Sequence, residues 1–172
     1  MSTLYLRRVA AVDAAALLRF ELEHRAYFER WVNARDTRFY SEQGVRAAIA
    51  AAETAWANDQ AFQYLILDDE RIVGRINLTA VKRAHFNCAD LGYRVGEHDG
   101  GRGVASQAVA LCLAEAFGAH GLWRVEAVAR PENHGSVRVL ERNGFQQFGH
   151  SRRSFELQGQ LFDRLLFERH RD

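Results

Sequence analysis

The chain reads as an α/β protein in which an antiparallel meander of strands feeds a β-α-β unit. Three observations predict this. Two strand-like apolar runs, Phe62 to Leu67 and Ile72 to Leu78, flank the turn Asp68-Asp69-Glu70-Arg71 and so form a hairpin. A further strand-like run, Asp90 to Val95, is followed by four glycines within eight positions, Gly96 to Gly103, and then by an amphipathic helical run, Val104 to Phe117. Beyond that helix, Trp123 to Ala129 alternates again, which returns the chain to the sheet by a parallel crossover.

The remaining elements follow in order. Leu4 to Val9 is a short first strand. Ala14 to Val32 carries Leu17, Leu18, Phe20, Leu22, Tyr27, Phe28 and Trp31 at helical spacing. Arg35 to Tyr40 is irregular, and Ser41 caps a second helix, Glu42 to Trp56, dense in alanine. A reversal near His85 to Cys88 leads into the strand at Asp90. The helix from Val104 is closed by Gly118 and Gly121. Asn133 caps a short helix, His134 to Asn143, stopped by Gly144. Gln146 to Phe155 and Phe162 to Glu168 close the chain as two strands joined at Gln158-Gly159-Gln160. The order is β-α-α-β-β-β-α-β-α-β-β.

A length of 172 residues favours one domain, residues 1–172, with a substantial core. Apolar content of 48% and a net charge of +1 fit a globular chain and argue against nucleic-acid binding by overall charge. No signal-like opening and no membrane-length apolar run is present, so a cytoplasmic protein is expected. Cys88 and Cys112 lack metal or redox spacing, and the seven histidines are scattered. No metal site is expected.

Gly100, Gly101 and Gly103 stand where a helix begins. Glycines there leave backbone N–H groups uncovered beside the positive end of the helix dipole, a cradle for phosphate or pyrophosphate. A P-loop requires a lysine and a hydroxyl after the last glycine, and Val104-Ala105 supplies neither. A dinucleotide fingerprint requires G-x-G-x-x-G after a first strand. Here Ser106 takes the third glycine's place, and the loop comes late.

Gly100 to Ala105 resembles instead the pyrophosphate loop Q/R-x-x-G-x-G/A of the GNAT N-acetyltransferases, with Gly100 in place of the opening Gln or Arg. Asp90-Leu91-Gly92-Tyr93-Arg94-Val95 is similar to that family's fourth strand. Glu132-Asn133-His134-Gly135-Ser136-Val137-Arg138-Val139-Leu140-Glu141-Arg142-Asn143-Gly144-Phe145 resembles the E-N-x-x-S-x-x-V-L-E-x-x-G-F segment of its Rim-type branch, which acetylates protein N-termini. Glu23 to Trp31 and Arg35 to Tyr40 are similar to its RimJ-like members. The resemblance covers essentially the whole chain.

The resemblance implies the GNAT fold, a mixed sheet with helices on both faces, and acetyl-CoA as donor. It implies a fourth strand splayed at a bulge, whose backbone at Tyr93, Arg94 and Val95 pairs with the pantetheine arm, Gly92 and Gly96 flanking it. One of those amides can polarise the thioester carbonyl. Gly100, Gly101, Arg102, Gly103, Val104 and Ala105 would hold the pyrophosphate, with Asn133 a further CoA contact. Ser136 would serve the departing thiolate. Many relatives use a tyrosine seven residues after the asparagine; Leu140 stands there. Glu126 and Glu156 are both candidates for general base. Arg35 and Tyr40 would lie on the acceptor side.

Three functions compete. The first is transfer to a protein or peptide N-terminus, ribosomal proteins included. The second keeps the chemistry with a small amine: a polyamine, aminoglycoside or amino acid. The third is a non-catalytic acyl-CoA-binding module. An open groove would favour a peptide, a closed pocket a small molecule. Monomer and homodimer are both compatible with the pattern.

Overall fold

The computed structural model describes residues 4–172. Strands β1 (Leu4–Arg8), β2 (Phe62–Asp68), β3 (Arg71–Lys82), β4 (Cys88–Val95), β5 (Arg124–Ala129), β6 (Gln146–Leu157) and β7 (Gln160–His170) form one sheet, ordered β1-β2-β3-β4-β5-β7-β6. Only the β4–β5 pair is parallel; the other neighbours are antiparallel. Helices α1 (Ala14–Glu23), α2 (Arg25–Phe28), α3 (Glu42–Ala57), α4 (Val104–Phe117) and α5 (His134–Arg142) complete the fold.

The alternation within β2 distributes the core over both faces of the sheet. Phe62, Tyr64 and Ile66 join Val109, Cys112 and Leu113 of α4, with Leu140 of α5 in the same cluster. Leu65 and Leu67 pack instead with Leu17 and Phe20 of α1 and with Val45 and Ile49 of α3. Helices therefore cover both faces, as expected, and the mixed sheet with its antiparallel meander is present. Among the described residues, no helix is long and apolar enough to cross a membrane.

The expected caps form. Ser41 Oγ accepts the Gly44 amide at 3.0 Å, and Asn133 Oδ1 accepts the Ser136 amide at 3.1 Å. The helix expected over Ala14 to Val32 is interrupted at His24, where ψ reaches 7°. The buried His24 ring lies under Gly96 and accepts the Glu97 amide at Nδ1, 3.2 Å away. A Cβ added to Gly96 would stand 2.7 Å from His24 Nε2. This tertiary contact lies outside the reach of helical periodicity. Arg35 to Tyr40 contains a single 3-10 turn, Thr37–Phe39, capped by Asp36.

The feature that makes the site is the divergence of β4 from β5. Their pairing runs from Cys88↔Arg124 to Leu91↔Ala127 and stops there. β4 continues to Val95 paired only with β3. No bulge marks this point: the irregularity in the β3–β4 ladder lies at Thr79/Lys82, where Ala80 has φ 50°. Gly92 has open space around it rather than a close neighbour. The parting of two strands, not a bulge within one, opens the gap.

Candidate active site

Gly96 donates its amide to Val73 O at 2.8 Å, which sets the phase of the β3–β4 ladder. Gly92, Arg94 and Gly96 turn their backbone groups toward β3. Tyr93 and Val95 turn theirs into the gap. The gap opens a cleft of about 1030 Å³. Its volume reaches the upper end of ordinary ligand pockets, roughly 300–1,000 Å³, so there is room for a large ligand and part of a second one.

At one end the glycine loop leads into α4. Gly101 (φ 73°) and Gly103 (φ 82°) are left-handed, a conformation that favours glycine. The first α4 bond runs from the Gln107 amide to Gly103 O at 3.0 Å, so the amides before it have no acceptor within the helix. Gly100, Gly101, Gly103, Val104 and Ala105 all line the cleft. Arg102 does not; it is exposed and lies 3.5 Å from Asp99. Gly100 itself is extended (φ −66°, ψ 152°), so nothing in its backbone demands glycine. The loop is anchored from below by buried Asp99, which accepts two bonds from Arg71 at 2.8 and 2.9 Å. Those bonds hold its carboxyl below the ordinary range, against the opposing effect of burial. Arg138 and Arg142 of α5 add positive charge to the lining.

In the middle, Asn133 and Ser136 meet at the start of α5, and the Tyr93 side chain reaches them from β4. Its hydroxyl lies 2.9 Å from Ser136 Oγ and 3.4 Å from Ser136 O. Burial pushes the phenol up to about 12, with the Ser136 bond acting in the opposite direction. Tyr93 thus stays protonated at neutral pH. The sequence pointed to Tyr93 for its backbone; its hydroxyl is an additional part of the site. Leu140 is buried in the core.

The far end is cationic. Arg35, Arg75 and Arg94 line the cleft around Glu21, which is fully buried beneath them. Arg75 donates to Glu21 at 2.7 Å and to Gln63 at 3.1 Å, while Arg94 and Arg35 stand 3.5 and 3.6 Å from the same carboxylate. Burial pushes Arg94 down to about 10, with Glu21 opposing and Arg35 and Arg75 adding to the fall. Burial lowers Arg35 as well. Across the cleft, Arg130 lies over the rings of Phe162 (3.6 Å) and Trp31 (5.4 Å). Asn33 Nδ2 donates to Glu156 O at 3.1 Å and Gln158 Nε2 to Glu29 O at 3.4 Å, tying the β6–β7 hairpin to the segment after α2.

The candidate carboxylates lie elsewhere. Glu126 points from β5 to the face that carries Asp90 and Glu168, is held by Arg124 at 2.5 Å, and stays outside the lining, which begins at Ala127. Glu156 is exposed, and its neighbour Phe155 faces the cleft. Tyr40 lies under the Arg25 guanidinium, 4.0 Å from its ring centroid, outside the lining. Arg35, expected on the acceptor side, lines the cleft beside Arg75 and Arg94. Glu21 and Arg75 were missed, although the signal was present: Glu21 interrupts the stripe Leu17, Phe20, His24, and Arg75 interrupts an apolar strand. Among the described residues, no group of three or more His, Cys, Asp or Glu is placed to hold a metal ion.

A family model described as an Acetyltransferase (GNAT) domain matches residues 3–146. The protein named "Probable N-acetyltransferase YjcK" from Bacillus subtilis (strain 168) is 31% identical over 159 residues, covering 91% of this chain and 88% of its own. The [Ribosomal protein uS5]-alanine N-acetyltransferase of Escherichia coli (strain K12) is 26% identical over 165 residues, covering 95% and 85%. The structure of Mycobacterium smegmatis RimJ in complex with CoA-disulfide superposes with a TM-score of 0.90 at 29% identity, covering 97% of this chain and 81% of that one.

Proposed function

The chain belongs to the GNAT acetyltransferase family, and we propose that it transfers the acetyl group of acetyl-CoA to the terminal α-amine of a protein or peptide, ribosomal proteins among the candidates. The observation that carries this reading is the single cleft joining three parts: the unpaired edge of β4, the glycine loop with its free amides, and the Tyr93–Ser136 pair. The relative acting on ribosomal protein uS5 supports the acceptor class.

The residues fit the donor. Tyr93 and Val95 offer backbone groups to an extended amide-bearing arm, as an added strand would use them. The amides from Gly101 to Ala105, with Arg138 and Arg142 nearby, suit a pyrophosphate. Acetyl-CoA supplies an acetyl group activated as a thioester. The amine nitrogen bonds the acyl carbon, the carbon–sulfur bond breaks, and the nitrogen releases its proton to water. Ser136 then donates its hydroxyl proton toward the leaving sulfur while accepting from the Tyr93 hydroxyl, which burial keeps protonated.

No carboxylate from Glu126 or Glu156 enters this scheme, and the acceptor explains why none is needed. A terminal amine with a pKa of about 8 is roughly one-tenth neutral at pH 7, whereas a lysine at about 10.4 is neutral only about once in 2,500. A second reading keeps the donor site and replaces the peptide with a compact small-molecule amine, which the same cleft of about 1030 Å³ admits. A peptide library spanning N-terminal sequences, incubated with acetyl-CoA and read by mass spectrometry, tests both. Acetylation at α-amines supports the first reading, and turnover confined to free small amines replaces it with the second.

A further inference from the structure

We propose that the arginine-lined end of the cleft is an anion site, so that the amine it serves sits beside a carboxylate or a phosphate of the same acceptor. The inference rests on the terminal-amine reading above and names its substrate class.

The charges at this end do not balance. Among the described residues, Arg35, Arg75 and Arg94 surround one carboxylate, Glu21, and Arg75 also donates to the neutral Gln63 amide. Glu21 lies behind the arginines, which face the cleft. Arg35 keeps a buried Nε with no hydrogen-bond partner. Its guanidinium also lies over the Phe39 ring at 4.5 Å, and that of Arg94 over Phe28 at 4.9 Å. Aromatic faces hold the two forks in place without consuming their donors.

An unsatisfied donor and excess positive charge in a partly dry cleft are costly unless a ligand completes them. The glycine loop and the α5 arginines suit the donor's phosphates, whereas Arg35, Arg75 and Arg94 gather at Glu21 of α1, so the charge here serves something else. A guanidinium fork matches a carboxylate or a phosphate oxygen pair. The same charge repels a polycation, which argues against polyamine and aminoglycoside acceptors. An acidic side chain in the first two residues of a peptide is the source that fits the terminal-amine reading.

The test uses the full chain with acetyl-CoA and matched acceptors. Peptides beginning Ala-Asp, Ala-Gln and Ala-Lys are compared with free aspartate and O-phosphoserine. The expected result is a kcat/KM for the acidic peptide about tenfold or more above the neutral one, with the basic one lowest, as charge-assisted bonds would give. In Arg35→Gln that preference should fall to about threefold or less, and Arg35→Lys should restore part of it. Glu21 keeps Arg75 and Arg94 in both variants, and an unfolding midpoint close to the parent's shows that they fold. Peptides acetylated without regard to charge overturn the anion site and leave the terminal-amine reading standing. Turnover of the free anionic amines alone supports the anion site and overturns the peptide acceptor. No turnover with any acceptor overturns both.

Discussion

The Tyr93 hydroxyl lies 2.9 Å from Ser136 Oγ, joining β4 to the first turn of α5 across the gap where β4 and β5 part. Asn133 holds the other side of Ser136 by accepting its amide at 3.1 Å. A backbone edge, a helix cap and a half-buried phenol thus converge on one hydroxyl.

Ser136→Ala should lower kcat by about 30-fold, the equivalent of about 2 kcal/mol for a hydrogen bond to a charged leaving group. CoA affinity, followed by calorimetry, should change little. Tyr93→Phe should lower kcat less, because Ser136 keeps its own proton. A Ser136→Ala enzyme turning over at the parental rate would remove this hydroxyl from the mechanism.

Glu126→Gln and Glu156→Gln should each retain kcat to within about threefold, since a terminal amine needs little help to lose its proton. A loss of a hundredfold in steady-state assays of either variant would show that a carboxylate base acts from outside the lining, through water.

Gly103→Ala should destabilise the fold by about 1 kcal/mol through its left-handed backbone (φ 82°) and weaken CoA binding by displacing the loop amides. Gly100→Arg should do the opposite. Its backbone is extended, and the new Cβ meets only Glu97 O at 3.3 Å, a contact relieved by a small shift. A fork added beside the phosphates should tighten CoA by about fivefold, or about 1 kcal/mol. Urea titration and calorimetry read the two effects separately.

Glu21→Ala should cost about 3 kcal/mol or more, because three arginines lose the only carboxylate among them. Chemical denaturation measures this directly. A variant as stable as the parent would show that the cluster is solvated in solution.

Stability should fall on the alkaline side. Burial raises Cys112 to about 12 from an ordinary 9.0, and Tyr93 to about 12 from 10.0. Each group is neutral in the folded chain where the unfolded chain has begun to ionise. Their contribution is therefore complete below pH 9 and is lost as pH rises from about 9 toward 12. Tyr93→Phe should flatten the upper part of that decline in unfolding free energies taken at a series of pH values.

Much of this protein was determined by local sequence. The succession of strands and helices along the chain, the caps at Ser41 and Asn133, and the left-handed glycines at 101 and 103 rest on alternation, side-chain chemistry and backbone sterics within a few residues, so short windows carry them. The glycine loop and the Asn133–Ser136 turn also lie in one segment each, which is why their residues could be named. What only the tertiary structure decided required distant segments to meet. The break at His24 answers to Glu97 and Gly96, far along the chain. The bulge expected near Gly92 is replaced by the divergence of β4 from β5, which depends on how β7 and α5 pair and pack beyond Ala127. Tyr93 meets Ser136, and Glu21 gathers Arg35, Arg75 and Arg94, only because the sheet brings four separate elements to one cleft. Charge balance is a property of that assembled space rather than of any window. The sequence therefore offered Arg35 and Arg94 singly, and Glu21 and Arg75 as charged residues in apolar stripes, but not their meeting around one carboxylate.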